Sequence, residues 1–265
     1  MWPFSGIGPP YAAAATPHNQ RHSSNKRESQ IKNLKHNHDV RNGLRAADVV
    51  VGPTRSILDA IARHYGPFRR TDVIHNGRDP ALFRPGRKEE FVFTAGRIWD
   101  MAKNVAAIDA AAPAIAWPVI AAGDTTHPEG GHCPMQNLRL LGVISIDEIA
   151  RWLSHASIYA LPARYEPFGL TVLEAAHAGC ALVLGDIDSL RELWDGAALF
   201  VPPDDHEALA RSIQMLIDDA PLRRMLAENA SRRAAAFTPD AMADRYINAY
   251  TNLLRRLGAT QQASG

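Results

Sequence analysis

From about residue 91 onward, short runs of apolar residues alternate with longer stretches whose apolar positions recur every three or four residues. The short runs read as buried strands over 91–95, 118–122, 138–141, 157–161, 181–184 and 198–201. Between them the helical spacing predicts helices near 104–112, 147–155, 170–178 and 189–194. Two further helices are expected over 205–217 and 221–236, and a last one follows the Thr238 cap and Pro239 to about 257. Strands that alternate with helices in this way predict an α/β fold with a doubly wound parallel sheet.

A shorter α/β pattern precedes this region. A helix is expected over 40–47, a buried strand over 48–52 (DVVVG), a helix over 54–64 opened by Pro53 and Thr54, and a strand over 72–75. The turn signal Asn76-Gly77 ends it, and residues 78–90, with two prolines and a charge run, have linker chemistry. Residues 1–38 show almost no apolar periodicity and become polar and basic, a composition that buries too little apolar area to offset the entropy of ordering. The expected organisation is a disordered or unassigned tail at 1–38, a small α/β piece at 39–80, a linker at 81–90, a main domain at 91–238 and a carboxy-terminal helix and tail at 239–265. Along that helix Met242, Tyr246, Tyr250 and Leu253 form an apolar stripe.

Composition narrows the function classes. With 46% hydrophobic and 22% charged residues the chain is ordinary for a soluble globular protein, and a formal net charge of +1 gives no case for nucleic acid binding. The most apolar stretch, 110–123, is too short for a membrane span and is interrupted by Pro113 and Pro118. Cys133 and Cys180 are too few for a disulfide framework or a four-cysteine zinc site. A cytoplasmic setting is the expectation, with a peripheral place at a membrane surface as the variant.

In an open parallel sheet, ligands bind beyond the carboxyl ends of the strands, so the loops after strands carry the candidate chemistry. The first reads Gly96-Arg97-Ile98-Trp99-Asp100-Met101-Ala102-Lys103-Asn104. Gly96 allows a sharp turn, and Arg97 and Lys103 are two cations near a helix start, an arrangement that suits a diphosphate. Two solvated surface charges are the alternative. The loop 123–137 holds His127, His132 and Cys133 without a fourth ligand, so a flexible loop and no metal is expected.

The loop after 157–161 is richer: Pro162-Ala163-Arg164-Tyr165-Glu166-Pro167-Phe168-Gly169-Leu170-Thr171-Val172-Leu173-Glu174. Pro167 keeps Glu166 extended and out of the helix, and Gly169 lets a ligand approach the backbone. The N–H groups of Phe168, Gly169, Leu170 and Thr171 are expected to be unpaired helix-start donors for phosphate or sugar oxygens. Glu174 lies roughly 7–8 Å along that helix. The spacing leaves open whether the two carboxylates are acid/base partners or hold two ends of one substrate. Otherwise Glu166 is a turn residue and Glu174 an exposed helix face.

Glu166-Pro-Phe-Gly-Leu-x-x-x-Glu174 resembles the E-x7-E motif of retaining glycosyltransferases of the GT-B fold, in particular the large family 4 group. Asp48–Thr54 (DVVVGPT), Val73–Asp79 (VIHNGRD) with Phe83-Arg84-Pro85, Gly96-Arg97…Lys103-Asn104 and Leu141-Gly142-Val143 are similar to further segments of that family, in order along residues 39–257. The resemblance implies that Arg97 and Lys103 bind the donor diphosphate and stabilise the departing nucleotide. It places Glu166 beside the transferred sugar, with Gly96, Phe168, Gly169, Leu170 and Thr171 nearby. Glu174 would hold the ribose hydroxyls, and Gly142 and Val143 would lie beside the base. The implied reaction is transfer of a hexose from a nucleotide diphosphate sugar with retention of configuration, without a cofactor or bound metal.

The acceptor is left open between saccharide, lipid and small molecule. The resembling fold closes two Rossmann-like domains around a cleft, and this chain has room for only the last strand–helix–strand piece of the first. The alternatives to a working transferase are therefore a non-catalytic nucleotide-sugar-binding module, or a truncated fragment that needs a partner chain to supply the missing domain.

Overall fold

The apolar strand runs are buried on both sides because helices cover both faces of one parallel sheet. A computed structural model describes residues 37–262; all but the last two residues of the segment read as a tail lie outside the described residues. A first helix, α1, occupies 37–46 of them. β1 (Val50–Gly52), α2 (Arg55–Tyr65) and β2 (Thr71–Val73) form a small parallel unit in which the two strands pair directly.

The main domain follows with β3 (Glu89–Ala95), α3 (Val105–Ala111), β4 (Val119–Ala122), β5 (Arg139–Leu140), α4 (Ile146–His155) and β6 (Ala156–Leu161). It continues through α5 (Leu170–His177), β7 (Ala181–Gly185), α6 (Asp188–Trp194), β8 (Ala198–Val201), α7 (His206–Asp218), α8 (Ala220–Ala234) and α9 (Pro239–Gln262). Pro113 cannot continue α3, and a short 3-10 turn, Ala112–Ala114, replaces its last turn. β5 is only two residues long because Arg139 and Leu140 are exposed at the sheet edge, and only Leu138 is buried.

The main sheet is parallel throughout, in the order β5-β4-β3-β6-β7-β8. Strand order reverses between β3 and β6, so the crevice that a doubly wound sheet opens for a ligand lies at their carboxyl ends. The two-residue period of a strand sends Phe91, Phe93 and Ala95 to one face with α4, α5 and α8, and Val92 to the other with α3 and α7.

The stretch with linker chemistry is held against the domain. Phe83 is fully buried, and Lys88 places its ammonium at the ends of two helices, donating to the carbonyl oxygens of Ala178 (2.6 Å) and Leu153 (3.1 Å). Those carbonyls lie at helix ends, and the Leu153 oxygen also accepts the Cys180 thiol (3.3 Å). Burial pushes the Lys88 pKa down, and Cys180 partly opposes it. Lys88→Met is expected to destabilise the fold by about 2 kcal/mol in urea denaturation, since it keeps the stem and deletes two charge-assisted bonds. A change under about 0.5 kcal/mol would refute this capping role.

The small unit is fastened to the main domain at several points. Glu192 on α6 accepts the backbone N–H groups of Arg55 (2.7 Å) and Ser56 (2.9 Å), capping α2 from another element. Thr54, which also caps α2, donates its hydroxyl to the Pro167 carbonyl (3.1 Å). Gly77 meets the start of α9 so closely that a Cβ there would lie 2.2 Å from the Thr238 carbonyl oxygen. The α9 stripe divides: Met242, Tyr246 and Leu253 are half-buried, whereas Tyr250 is exposed, with Ile247 and Leu254 beside it. No helix among the described residues is long and apolar enough to cross a membrane.

Candidate functional site

Three loops at the carboxyl ends of neighbouring strands are laced together by their backbones. The Gly96 N–H donates to Ala122 (2.9 Å), the Gly123 N–H to Gly142 (2.8 Å) and the Ile98 N–H to Asp124 (2.8 Å). Gly123 has φ +145°, and a Cβ there would fall 1.7 Å from the Gly96 carbonyl oxygen, so only glycine lets these two loops approach. Gly142 is thereby held beside Gly123 at the end of β4, and Val143 after it is exposed.

The loop after β3 is folded by Asp100, whose carboxylate accepts the Ala102 N–H (2.9 Å) and the Arg97 guanidinium (2.6 Å). Arg97 also lies over the Trp99 ring and remains 52% exposed at its side chain. Asn104, in the left-handed conformation that asparagine tolerates, staples this loop to the next strand end. Its amide donates to the carbonyls of Pro162 (2.9 Å) and Pro203 (2.7 Å), and its oxygen accepts from Arg164. The Arg164 N–H in turn donates to the Ala102 carbonyl (2.9 Å).

That staple brings Lys103 onto Glu166. Their side chains form a direct ion pair through Glu166 Oε2. Glu166 Oε1 accepts the N–H groups of Gly169 (2.9 Å) and Phe168 (3.3 Å), and the Glu166 carbonyl accepts the Ser189 hydroxyl (2.5 Å). Glu166 is 7% exposed and fixed by three donors on its carboxylate. The expectation of four unpaired donors is thus corrected for two of them: Glu166 folds back under the helix start and takes the Phe168 and Gly169 N–H groups itself. Gly169 makes this possible with φ +83°, and the Phe168 side chain turns into the core.

Glu174 is not an exposed helix face; it is 2% exposed. Its Oε1 accepts from Arg78 Nε (2.6 Å). Burial pushes its pKa up, and the Arg78 charge and hydrogen bond pull it back. Tyr159, within reach of the charges of both carboxylates, is fully buried, with its hydroxyl 2.8 Å from Thr171 Oγ1. Burial raises its phenol pKa well above the ordinary value, and the charges of Glu174 and Glu166 add to the shift.

The structure therefore joins Lys103 to Glu166, while Arg97 is held by Asp100 and Glu174 by Arg78. Sequence reasoning missed Arg78 and the structural part played by Asn104. Arg78 stands in the VIHNGRD turn that was read as the start of a linker, and no local periodicity points it at Glu174. A cavity of about 360 Å³ lined by Met101, Asn104, Arg164, Asp204 and His206 borders the same loops and includes none of Arg97, Lys103, Glu166 or Glu174.

Comparison with known proteins gives this geometry its family. Glycogen synthase of Mycobacterium tuberculosis is 29% identical over 209 residues, covering 72% of this chain and 50% of its own. Among solved structures, sucrose-phosphate synthase from Thermosynechococcus elongatus superposes with a TM-score of 0.76 at 23% identity, covering 84% of this chain and 62% of its own. Anabaena Alr3699/HepE, solved in complex with UDP-glucose, gives a TM-score of 0.74 at 18% identity, covering 82% and 68%. The chain spans about a third to about a half of the length of the curated relatives it matches. Its parallel sheet with flanking helices is an α/β fold that matches GT-B glycosyltransferase structures. The sequence profile of the glycosyl transferases group 1 matches residues 84–233, more than half of the chain and the loops after β3, β4 and β6, and the chain belongs to that family.

Proposed function

We propose that the crevice at the ends of β3 and β6 binds a nucleotide diphosphate sugar, and that the protein takes part in transfer of its hexose with retention of configuration. The contact of Lys103 with Glu166 at the point of strand-order reversal is the observation that carries this reading. An ammonium has three donors, and the bond to Glu166 leaves the others for phosphate oxygens. Arg97, exposed and, among the described residues, paired across its own loop, is free to exchange Asp100 for the diphosphate. Glu166 would then stand beside the sugar, and Glu174 would accept the ribose hydroxyls. In the reaction the bond from the anomeric carbon to the diphosphate breaks with its electrons on the phosphate. An acceptor hydroxyl bonds that carbon from the same face, and its proton passes to the departing diphosphate. Lys103 and Arg97 stabilise the charge that develops on the phosphate. The donor is a substrate, and no resident cofactor enters the scheme.

Calorimetric titration with UDP- and GDP-sugars tests the reading, with Arg97→Ala expected to weaken binding about 10- to 100-fold. No binding by the wild-type chain, or an unchanged affinity in the variant, would overturn it. The product anomer, followed by NMR, tests retention. A second reading, a nucleotide-sugar-binding module completed by a partner chain that supplies the acceptor side, is favoured by the length of the relatives. Binding without transfer or slow donor hydrolysis would select it.

A further inference from the structure

The segment after β2 crosses the start of α9 at a point where neither chain has room to move. The Arg78 N–H donates to the Phe237 carbonyl (3.0 Å), and the Cα of Gly77 is pressed against Thr238 and Pro239. Phe237 is itself packed against His75, Phe168 and Trp194, at ring-centroid distances of 5.2, 5.7 and 6.1 Å. Arg78 therefore starts from a fixed backbone, and its Nε reaches Glu174 Oε1 at 2.6 Å. Oε2 of Glu174 accepts no hydrogen bond from any described residue. A buried carboxylate anchored through one oxygen is an acceptor with its second oxygen unspent.

We propose that Arg78 is the positioning residue for Glu174, holding one carboxylate oxygen so that the other accepts the ribose hydroxyls of a nucleoside diphosphate. This rests on the donor-site reading above and adds to it a residue of the segment joining the small unit to the main domain. An arginine is suited to the task because its planar guanidinium fixes an orientation as well as supplying a charge. Without it Glu174 keeps its place on α5, but burial disfavours its charged form with nothing to oppose it. A protonated carboxyl accepts less well from a diol. The joining segment thus contributes to nucleotide recognition through Glu174.

The test compares UDP and GDP with their 2′-deoxy counterparts by calorimetry, in wild type, Arg78→Ala, Arg78→Lys and Glu174→Gln. Wild type is expected to prefer the ribonucleotide about tenfold, as fits one hydrogen bond to a charged acceptor. Arg78→Ala and Glu174→Gln should bring that preference to about two- to threefold or less, and Arg78→Lys should restore part of it. A purely structural role would lower affinity for both nucleotides alike and leave their ratio intact, and that result overturns the proposal. Should Arg78→Ala not fold, the same ratio in Arg78→Gln and Glu174→Gln decides. If wild type binds none of the nucleotides, the donor-site reading itself fails; if it binds them with a ribose preference that Arg78→Ala retains, only the part assigned to Arg78 fails.

Discussion

Lys103→Ala is expected to lower consumption of the nucleotide sugar by on the order of 10²–10³-fold, the loss that follows removal of one charge-stabilising donor from a preorganised site. Glu166→Ala should fall into the same range, and the double variant should be hardly worse than either single one, because the two side chains are joined in one ion pair. Stability provides the control. Lys103→Ala strips a buried carboxylate of its counter-charge, but Glu166 keeps the N–H groups of Phe168 and Gly169, and the lysine is partly exposed. The expected destabilisation is about 2 kcal/mol, below the cost of breaking a fully buried pair. Rates measured well below the unfolding transition separate the two effects. If activity returns on cooling in proportion to the folded fraction, or if the double variant loses the product of the single losses, Lys103 and Glu166 do not act as one unit on the donor.

The cations at the crevice are already engaged without a ligand: Lys103 by Glu166, Arg97 by Asp100 and Arg78 by Glu174. Each pair keeps a side chain in place at the cost of a competing contact. On the reading proposed above, a diphosphate would add to the Lys103 pair through the ammonium's spare donors, leave the Arg78 pair intact and displace Asp100 from Arg97, whose exposed pair is the one most screened by water.

Local chemistry was legible in the sequence and distant chemistry was not. Thr54 announces α2 within three residues of its hydrogen bond to the Ile57 N–H, and Pro167 with Gly169 announces the loop before α5. The strand runs gave the sheet because burial on both faces leaves near-continuous apolar residues, as in β6 and β7. The motif residues Lys103 and Glu166 were expected in one site and do meet, because Asn104 ties their loops together. Arg78 and Glu174, by contrast, lie 96 positions apart, and Glu192 caps a helix 137 positions upstream. Such contacts are set by packing of the small unit on the main domain, and no periodicity encodes them. Lys88 and Phe83 were read as linker for the same reason: a charge and an aromatic ring between prolines reveal nothing of the helix ends and core that receive them.

Trp194→Ala is expected to destabilise the protein by about 4 kcal/mol, a fall in Tm of roughly 10 °C. Trp194 is among the largest fully buried side chains, on α6 beneath the crossing of the two segments. Its removal opens a cavity under Phe237, whose ring also supports His75 from the segment after β2 and Phe168 from the loop before α5. The damage should therefore spread to the site, and nucleotide affinity should fall with stability. Trp194→Phe separates volume from polarity. The indole Nε1 is buried without a hydrogen-bond partner among the described residues, so replacing it with a phenyl ring discards a group that gains nothing from the fold. That variant should lose less than about 1.5 kcal/mol, since the smaller ring costs packing while relieving an unsatisfied donor. Equal losses in the two variants, measured by urea denaturation, would mean that the indole nitrogen is bonded and that more than ring volume holds the crossing together.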